Sequence, residues 1–105
     1  MGSRLHDKVA IITGAASGIG HGVAELFISE GAKVVVADMN EEGGKQVVAA
    51  LGSNARFFKC DVTNDDSVKA MVDFAVTEFG KLDILHNNAG AFGARGTLSE
   101  IQTDA

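Results

Sequence analysis

The chain has 105 residues, a length that suits one domain and not two. Hydrophobic residues make up 46% of it, enough for a core, while nine Lys and Arg against fourteen Asp and Glu leave a formal charge of −5 with no basic stripe, so nucleic acid is not an expected partner. No apolar run approaches the ~20 residues that cross a bilayer, and residues 1–6 carry no apolar leader, so the expectation is a soluble, cytoplasmic protein with no membrane partner.

Val9-Ala10-Ile11-Ile12 is a short apolar run closed by Thr13-Gly14, and it predicts a buried strand. From Gly18 onward, Ile19, Val23, Leu26 and Phe27 recur at helical spacing and predict one apolar face, with Gly31 where a helix stop belongs. Val34-Val35-Val36-Ala37 predicts a second strand, apolar on both faces like the strands of parallel sheets covered by helices on both sides. Asn40 predicts the cap of a second helix, with Glu41 and Glu42 favourable at its positive end. Val47, Val48 and Leu51 would face inward, and Gly52 closes that helix. Residues 55–60 predict a third strand, nearer the sheet edge because Arg56 and Lys59 interrupt it. Asn64-Asp65-Asp66 opens a third helix, with Val68, Met71, Val72, Ala75 and Phe79 on one face and Gly80 as its stop. Residues 82–86 predict a fourth strand, 90–96 a loop, and 97–105 the beginning of another helix.

Strands alternating with helices imply a parallel sheet. Right-handed crossovers then place the strands in the order 3-2-1-4, with the first two helices on one sheet face and the third on the other. The expected fold class is therefore α/β, a three-layer α/β/α Rossmann-type sheet truncated after the fourth strand, with residues 1–105 forming a single partial domain. The outer edge of the fourth strand would be unpaired and one helix would cover a four-stranded face poorly. Exposed apolar surface, and hence a homo-oligomer, is the expectation.

The turn Thr13-Gly14-Ala15-Ala16-Ser17-Gly18-Ile19-Gly20 lies between a predicted strand and a predicted helix, the setting in which glycines receive a diphosphate. Gly14 permits a tight exit from the strand, Gly18 removes a side chain where a diphosphate must approach backbone, and Gly20 lets the helix lie close to the sheet. Backbone N–H groups at the helix start, aided by the helix dipole, would take the phosphates. A phosphate-binding loop of the nucleoside triphosphatase kind does not fit, because no Gly-Lys-Ser/Thr follows. Asp38 ends the second strand, 18 residues after Gly20. A carboxylate there accepts both hydroxyls of an adenosine ribose and repels a 2′-phosphate, which favours NAD over NADP. Ala15, Ala16 and Met39 offer no positive charge to such a phosphate. Asp61-Val62 ends the third strand, where Val62 could carry an adenine and Asp61 could accept from its amino group. Asn87-Asn88-Ala89-Gly90 ends the fourth, near the switch point between strands 1 and 4 where ligands bind.

Each piece also has a plain structural reading. The glycines suit a turn with no ligand, Asp38 suits the start of the Asp38-Met39-Asn40 turn, Asp61 suits a turn into the third helix through Thr63 and Asn64, and Asn87-Asn88 suits an ordinary turn. Cys60, the lone cysteine, reads as buried packing at a strand end, and His86 as a strand-end histidine with a satisfied ring. His21 lies in the first turn of a helix, where a positive charge would oppose the dipole, so no acid-base role is expected of it. The three His and the lone Cys show no zinc-ligand spacing, so no metal is expected.

Taken together, Thr13-Gly14-x-x-x-Gly18-Ile19-Gly20, Asp38, Asp61-Val62 and Asn87-Asn88-Ala89-Gly90 resemble the compact type of short-chain dehydrogenase/reductase, over residues 8–90. The three-residue gap between Gly14 and Gly18 is similar to that type rather than to the extended, epimerase-like type, and Leu85-His86-Asn87-Asn88-Ala89-Gly90 resembles NAD-dependent alcohol or steroid-type dehydrogenases. The resemblance implies NAD as cofactor and a small alcohol or carbonyl substrate in the full-length fold. It implies Gly14, Ser17, Gly18, Ile19 and Gly20 along the diphosphate and adenosine ribose, Asp38 on the ribose hydroxyls and Met39 at the adenine edge. It further implies Asp61 and Val62 flanking the adenine, and Asn88, Ala89 and Gly90 approaching the ribose region, while Asn87 braces the sheet.

The same family does its chemistry with a Tyr-x-x-x-Lys pair, a preceding Ser and an Asn on the helix after the fourth strand. The chain has no Tyr, and all four positions would lie beyond Ala105, so no catalytic residue is expected within it. Three functions follow as expectations: the cofactor half of an NAD-dependent oxidoreductase, a non-enzymatic NAD-binding half-domain, or an adenosyl-methionine-dependent methyltransferase on a similar fold. Asn87-Asn88-Ala89-Gly90 disfavours the last.

Overall fold

The computed structural model describes residues 5–16, 18–87 and 100–102. Its elements in chain order are β1 (Val9–Thr13), α1 (Gly18–Ser29), β2 (Lys33–Asp38), α2 (Glu41–Leu51), β3 (Ala55–Lys59), α3 (Asp65–Phe79), β4 (Ile84–Asn87) and β5 (Glu100–Gln102). The strands form one sheet in the order β3-β2-β1-β4-β5. The first four are parallel, with Ile11 opposite Val35 on one side and Leu85 on the other, and Val35 opposite Arg56. All five residues of β1 are buried, as its central place with a neighbour on each side requires. Arg56 and Lys59 fall on β3, at the edge, where one flank of the strand has no sheet to enter.

Alternate strand residues divide the core into two layers. Ala10, Ile12, Val34 and Val36 join Ala24 of α1 and Val47 of α2 on one face, with Val23, Phe27, Val48 and Leu51 against them. Ile11, Val35 and Ala37 join Met71 and Ala75 of α3 on the other, with Val68, Val72, Phe74 and Phe79 against them. The two-to-one distribution of helices expected from right-handed crossovers is what the core shows.

The helix ends follow cap chemistry. Asn40 and Asn64 are N-caps whose side chains accept the backbone N–H of Gly43 and Ser67. Gly52 and Gly80 close α2 and α3 with φ of 97° and 88°, a region that favours glycine. Gly44 is buried inside α2, and a Cβ there would enter the Phe57 ring of β3, so that glycine lets the helix lie on the sheet edge.

Three expectations are corrected. The spacing from Ile19 to Phe27 predicts one inward face, but Ile19 is 75% and Leu26 57% exposed, and the buried residues of α1 are Gly20 and Ala24. The helix approaches the sheet through small residues, and that close approach turns Ile19 and Leu26 outward. The fourth strand begins at Ile84, two residues later than expected; just before it, Asp83 donates its N–H to the Val9 carbonyl and accepts the Val9 N–H on its carboxylate. The chain also does not stop at a four-stranded sheet. Within residues 97–105, read as the start of a helix, Glu100–Gln102 is a strand antiparallel to β4, with Leu85 opposite Ile101. An inner strand's outer edge is a row of unpaired N–H and C=O groups, and pairing satisfies them locally. The edge expected to be open is therefore occupied, and the argument for association through it falls.

Candidate functional site

The four parallel strands all end on one side of the sheet, and the turns that leave β1, β2 and β3 meet there. Gly14 leaves β1 with φ of 65°, a left-handed turn that directs the chain toward β2. Its N–H donates to the carbonyl of Ala37 at 2.8 Å, the N–H of Ala15 to the same carbonyl at 3.4 Å, and the N–H of Ala16 to Oδ2 of Asp38 at 3.0 Å. Three consecutive amides thus fasten the glycine-rich turn to the end of β2. Oδ1 of Asp38 accepts the N–H of Asn40 at 2.9 Å, which links the same carboxylate to the cap of α2.

The glycines of the turn differ in what surrounds them. A Cβ on Gly20 would strike the carbonyl oxygen of Gly14 and lie 2.7 Å from the Cα of Ala15, so the first turn of α1 rests directly on the turn backbone. Among the described residues, a Cβ on Gly18 would meet nothing within 4 Å. Packing therefore demands glycine at position 20, whereas position 18 opens on space at the N-terminus of α1.

Beside the turn lies a pocket of about 220 Å³, lined by Gly14, Ala37, Asp38, Met39, Cys60, Asp61, Val62 and Thr63. Five of the residues singled out from the sequence thus meet in one cavity: Gly14, Asp38, Met39, Asp61 and Val62. Met39 stands 57% exposed at its wall. Ile19 is exposed on the first turn of α1 and does not line this pocket. Ser17, Asn88, Ala89 and Gly90 lie outside the described residues. Asn87 ends β4 with its backbone opposite Thr13, one residue before Gly14.

The turn read as an alternative at Asp61 is present. Oδ1 of Asp61 accepts both the N–H of Thr63 at 3.0 Å and its hydroxyl at 2.6 Å, and the N–H of Asn64 donates to the Asp61 carbonyl at 3.0 Å. The Thr63 hydroxyl and N–H hold the carboxyl below the usual range, against a smaller opposing effect of burial. The Asp61 N–H in turn donates to Oγ of Ser67 at 3.0 Å. Sequence reading placed Thr63 in that turn but missed it as a wall of the pocket. The Asp-x-Thr spacing, which lets a hydroxyl and an amide close on one carboxylate, carried that signal.

Cys60 is 2% exposed and its thiol lies 3.6 Å from Oγ of Ser67. Burial, reinforced by the charge of Asp61 and opposed by the Ser67 contact, pushes the thiol up from its usual value. It forms part of the pocket wall, and its raised value disfavours the reactive thiolate. The ring of His86 meets that of Phe27 edge-on at 6.2 Å, tying β4 to α1. Among the described residues no group of three or more His, Cys, Asp or Glu could hold a metal ion, and no helix is long and apolar enough to cross a membrane.

A parallel sheet ordered 3-2-1-4 about a glycine-rich first turn, with helices on both faces, defines a Rossmann-type α/β domain. The chain belongs to the short chain dehydrogenase family, whose model matches residues 8–105. It is 56% identical over 88 residues to the secoisolariciresinol dehydrogenase of Forsythia intermedia, covering 83% of this chain and 32% of that enzyme. It is 46% identical over 104 residues to the 3beta-hydroxysteroid dehydrogenase of Mediterraneibacter gnavus, covering 96% and 38%. Among solved structures, a 3-ketoacyl-(acyl-carrier-protein) reductase from Brucella melitensis complexed with NADH superposes with a TM-score of 0.75 at 43% identity, covering 77% of this chain and 34% of that one. The chain spans about a third of the length of the curated relatives it matches.

Proposed function

We propose that this chain is the cofactor-binding part of an oxidoreductase that uses a nicotinamide dinucleotide, NAD in preference to NADP, to move hydride between the nicotinamide and an alcohol or carbonyl substrate. The observation that carries the reading is the position of Asp38. Its carboxylate lies at the end of β2, lines the 220 Å³ pocket and touches the glycine-rich turn. An adenosine ribose placed between turn and pocket would meet an acceptor for its hydroxyls, while a 2′-phosphate would meet a negative charge.

The residues present fit the dinucleotide. Space at Gly18 admits a diphosphate beside the first turn of α1, whose N–H groups a helix leaves without intrahelical acceptors. Val62 and Met39 offer apolar walls to an adenine, and Asp61 stands beside them with Oδ1 held by Thr63. Ser17, Ile19, Asn88, Ala89 and Gly90 complete the proposed contacts. The bound cofactor would supply hydride chemistry, and this chain's residues would bind and orient it. The structure of the Brucella relative in complex with NADH supports the choice of ligand. The proton-transferring Tyr that the family resemblance implies is not among these 105 residues, so turnover is proposed for the longer protein and not for this span alone.

Calorimetry tests the cofactor reading. NAD should bind the chain more tightly than NADP, and Asp38→Ala should weaken NAD. Equal binding of the two cofactors would remove the argument from Asp38, and clear turnover of alcohols by the 105-residue chain would contradict the proposed division of labour. A non-enzymatic cofactor-binding module is the second reading, favoured by the lack of Tyr. A coding sequence that continues into a Ser and a Tyr-x-x-x-Lys would exclude it.

A further inference from the structure

Asp38 does more in this structure than wait for a ribose. The turn from β1 to α1 is fastened to β2 by three successive amides, and two of them, at Gly14 and Ala15, use the main-chain carbonyl of Ala37. Any side chain at 37 would supply that acceptor. The third, at Ala16, uses a side chain, the Oδ2 of Asp38 at 3.0 Å. It is the last described amide before Gly18, where the space for a diphosphate opens. The other oxygen holds the N–H of Asn40 at 2.9 Å, and Asn40 caps α2 through Gly43. One carboxylate therefore spans the glycine-rich turn, the end of β2 and the start of α2.

We propose that Asp38 is a positioning residue for the diphosphate-receiving turn, in addition to its proposed part as ribose acceptor. Both of its oxygens are engaged with backbone donors before any ligand arrives, and each retains a lone pair for a ribose hydroxyl. The choice between dinucleotides and the shape of the phosphate turn are thus coupled through one side chain. Replacing Asp38 to admit a 2′-phosphate loosens the turn that must hold the diphosphate of either cofactor. This inference rests on the cofactor reading for its consequence, but the clamp itself stands on the two hydrogen bonds.

Asp38→Asn separates the two parts. Asn has one acceptor oxygen, so one tie must go. The bond to the amide two residues on is the one Asn sustains in turns, which leaves its NH2 group facing the Ala16 N–H, donor to donor. The experiment uses 2′,3′-dideoxyadenosine diphosphate, which carries the adenine and diphosphate but no ribose hydroxyls, together with amide-proton exchange at Ala16. A pure ribose acceptor would be irrelevant to this probe, and removing its negative charge would hold or tighten the binding of an anion. The clamp predicts the opposite sign: binding weakened by roughly tenfold, with Ala16 exchange faster by a similar factor and the amides of β1 unchanged, as the loss of a hydrogen bond to a charged group requires. Unchanged or tighter binding of the probe, or unchanged Ala16 exchange, would overturn the clamp. If the unsubstituted chain binds neither NAD nor the probe, the cofactor reading fails, while Ala16 exchange still decides the clamp.

Discussion

The Cα of Gly20, in the first turn of α1, faces the carbonyl oxygen of Gly14 with no room for a methyl group between them. The obstacle is backbone on both sides, so no side-chain rotation relieves it. Gly20→Ala must push α1 away from the exit of β1, at a cost of about 1–3 kcal/mol. Urea unfolding should show the midpoint falling, and an unchanged midpoint would contradict the close contact of Gly20 with Gly14.

Gly22, one position past His21 on the same helix, is exposed, and among the described residues a Cβ there would meet nothing within 4 Å. Glycine there weakens the helix without any packing return. Gly22→Ala should stabilise the chain by about 0.5–1 kcal/mol. The pair of substitutions, equal in chemistry and two residues apart, should move the unfolding midpoint in opposite directions.

Asp83 is 2% exposed and accepts the N–H of Val9 at 2.9 Å, while the Lys81 ammonium lies 3.2 Å away. Burial opposes its ionisation, yet the Val9 N–H, Lys81 and the charge of Lys8 together outweigh that and hold its carboxyl below the usual value. A lowered folded value means that the group stabilises the fold above the unfolded carboxyl range and that this stability is lost as pH falls through the folded value. Asp83→Asn should therefore cost about 1–3 kcal/mol at neutral pH. The gap to the unsubstituted chain should narrow below about pH 4. Denaturation at a series of pH values reads it, and a gap that does not change with pH would contradict the role of the charge.

The thiol of Cys60, buried and pushed up by that burial, should react with a disulfide reagent at least roughly tenfold more slowly in the native chain than in urea. Its place in the wall of the pocket adds a second expectation, that bound NAD slows the native reaction further. Fast native labelling would place Cys60 at the surface.

Much of this architecture was legible in local chemistry. The apolar runs at 9–12 and 34–37, the caps Asn40 and Asn64 and the stops Gly52 and Gly80 act over a few residues, so neighbours in the chain suffice to read them. Asp38, Asp61 and the glycine-rich turn were also legible, because strand ends in a parallel sheet converge and spacing alone says which residues stand there. What could not be read was contact between distant segments. Nothing near Asp83 announces that its partner is Val9, 74 positions away. Nothing in the periodicity of α1 announces that small residues face the sheet while Ile19 and Leu26 turn outward.

By itself the amino-acid sequence determined the alternation of strands and helices, the sheet order that handedness allows, and the residues gathered at the strand ends, since those follow from short-range pattern and chirality. Tertiary structure alone decided that Glu100–Gln102 closes the edge of β4, that Gly20 and not Gly18 is demanded by packing, and that Asp38 already holds the amide of Ala16. Those outcomes depend on which backbone groups meet across the fold, and a hydrogen bond or a steric limit of a fraction of an ångström exists only once the distances are set.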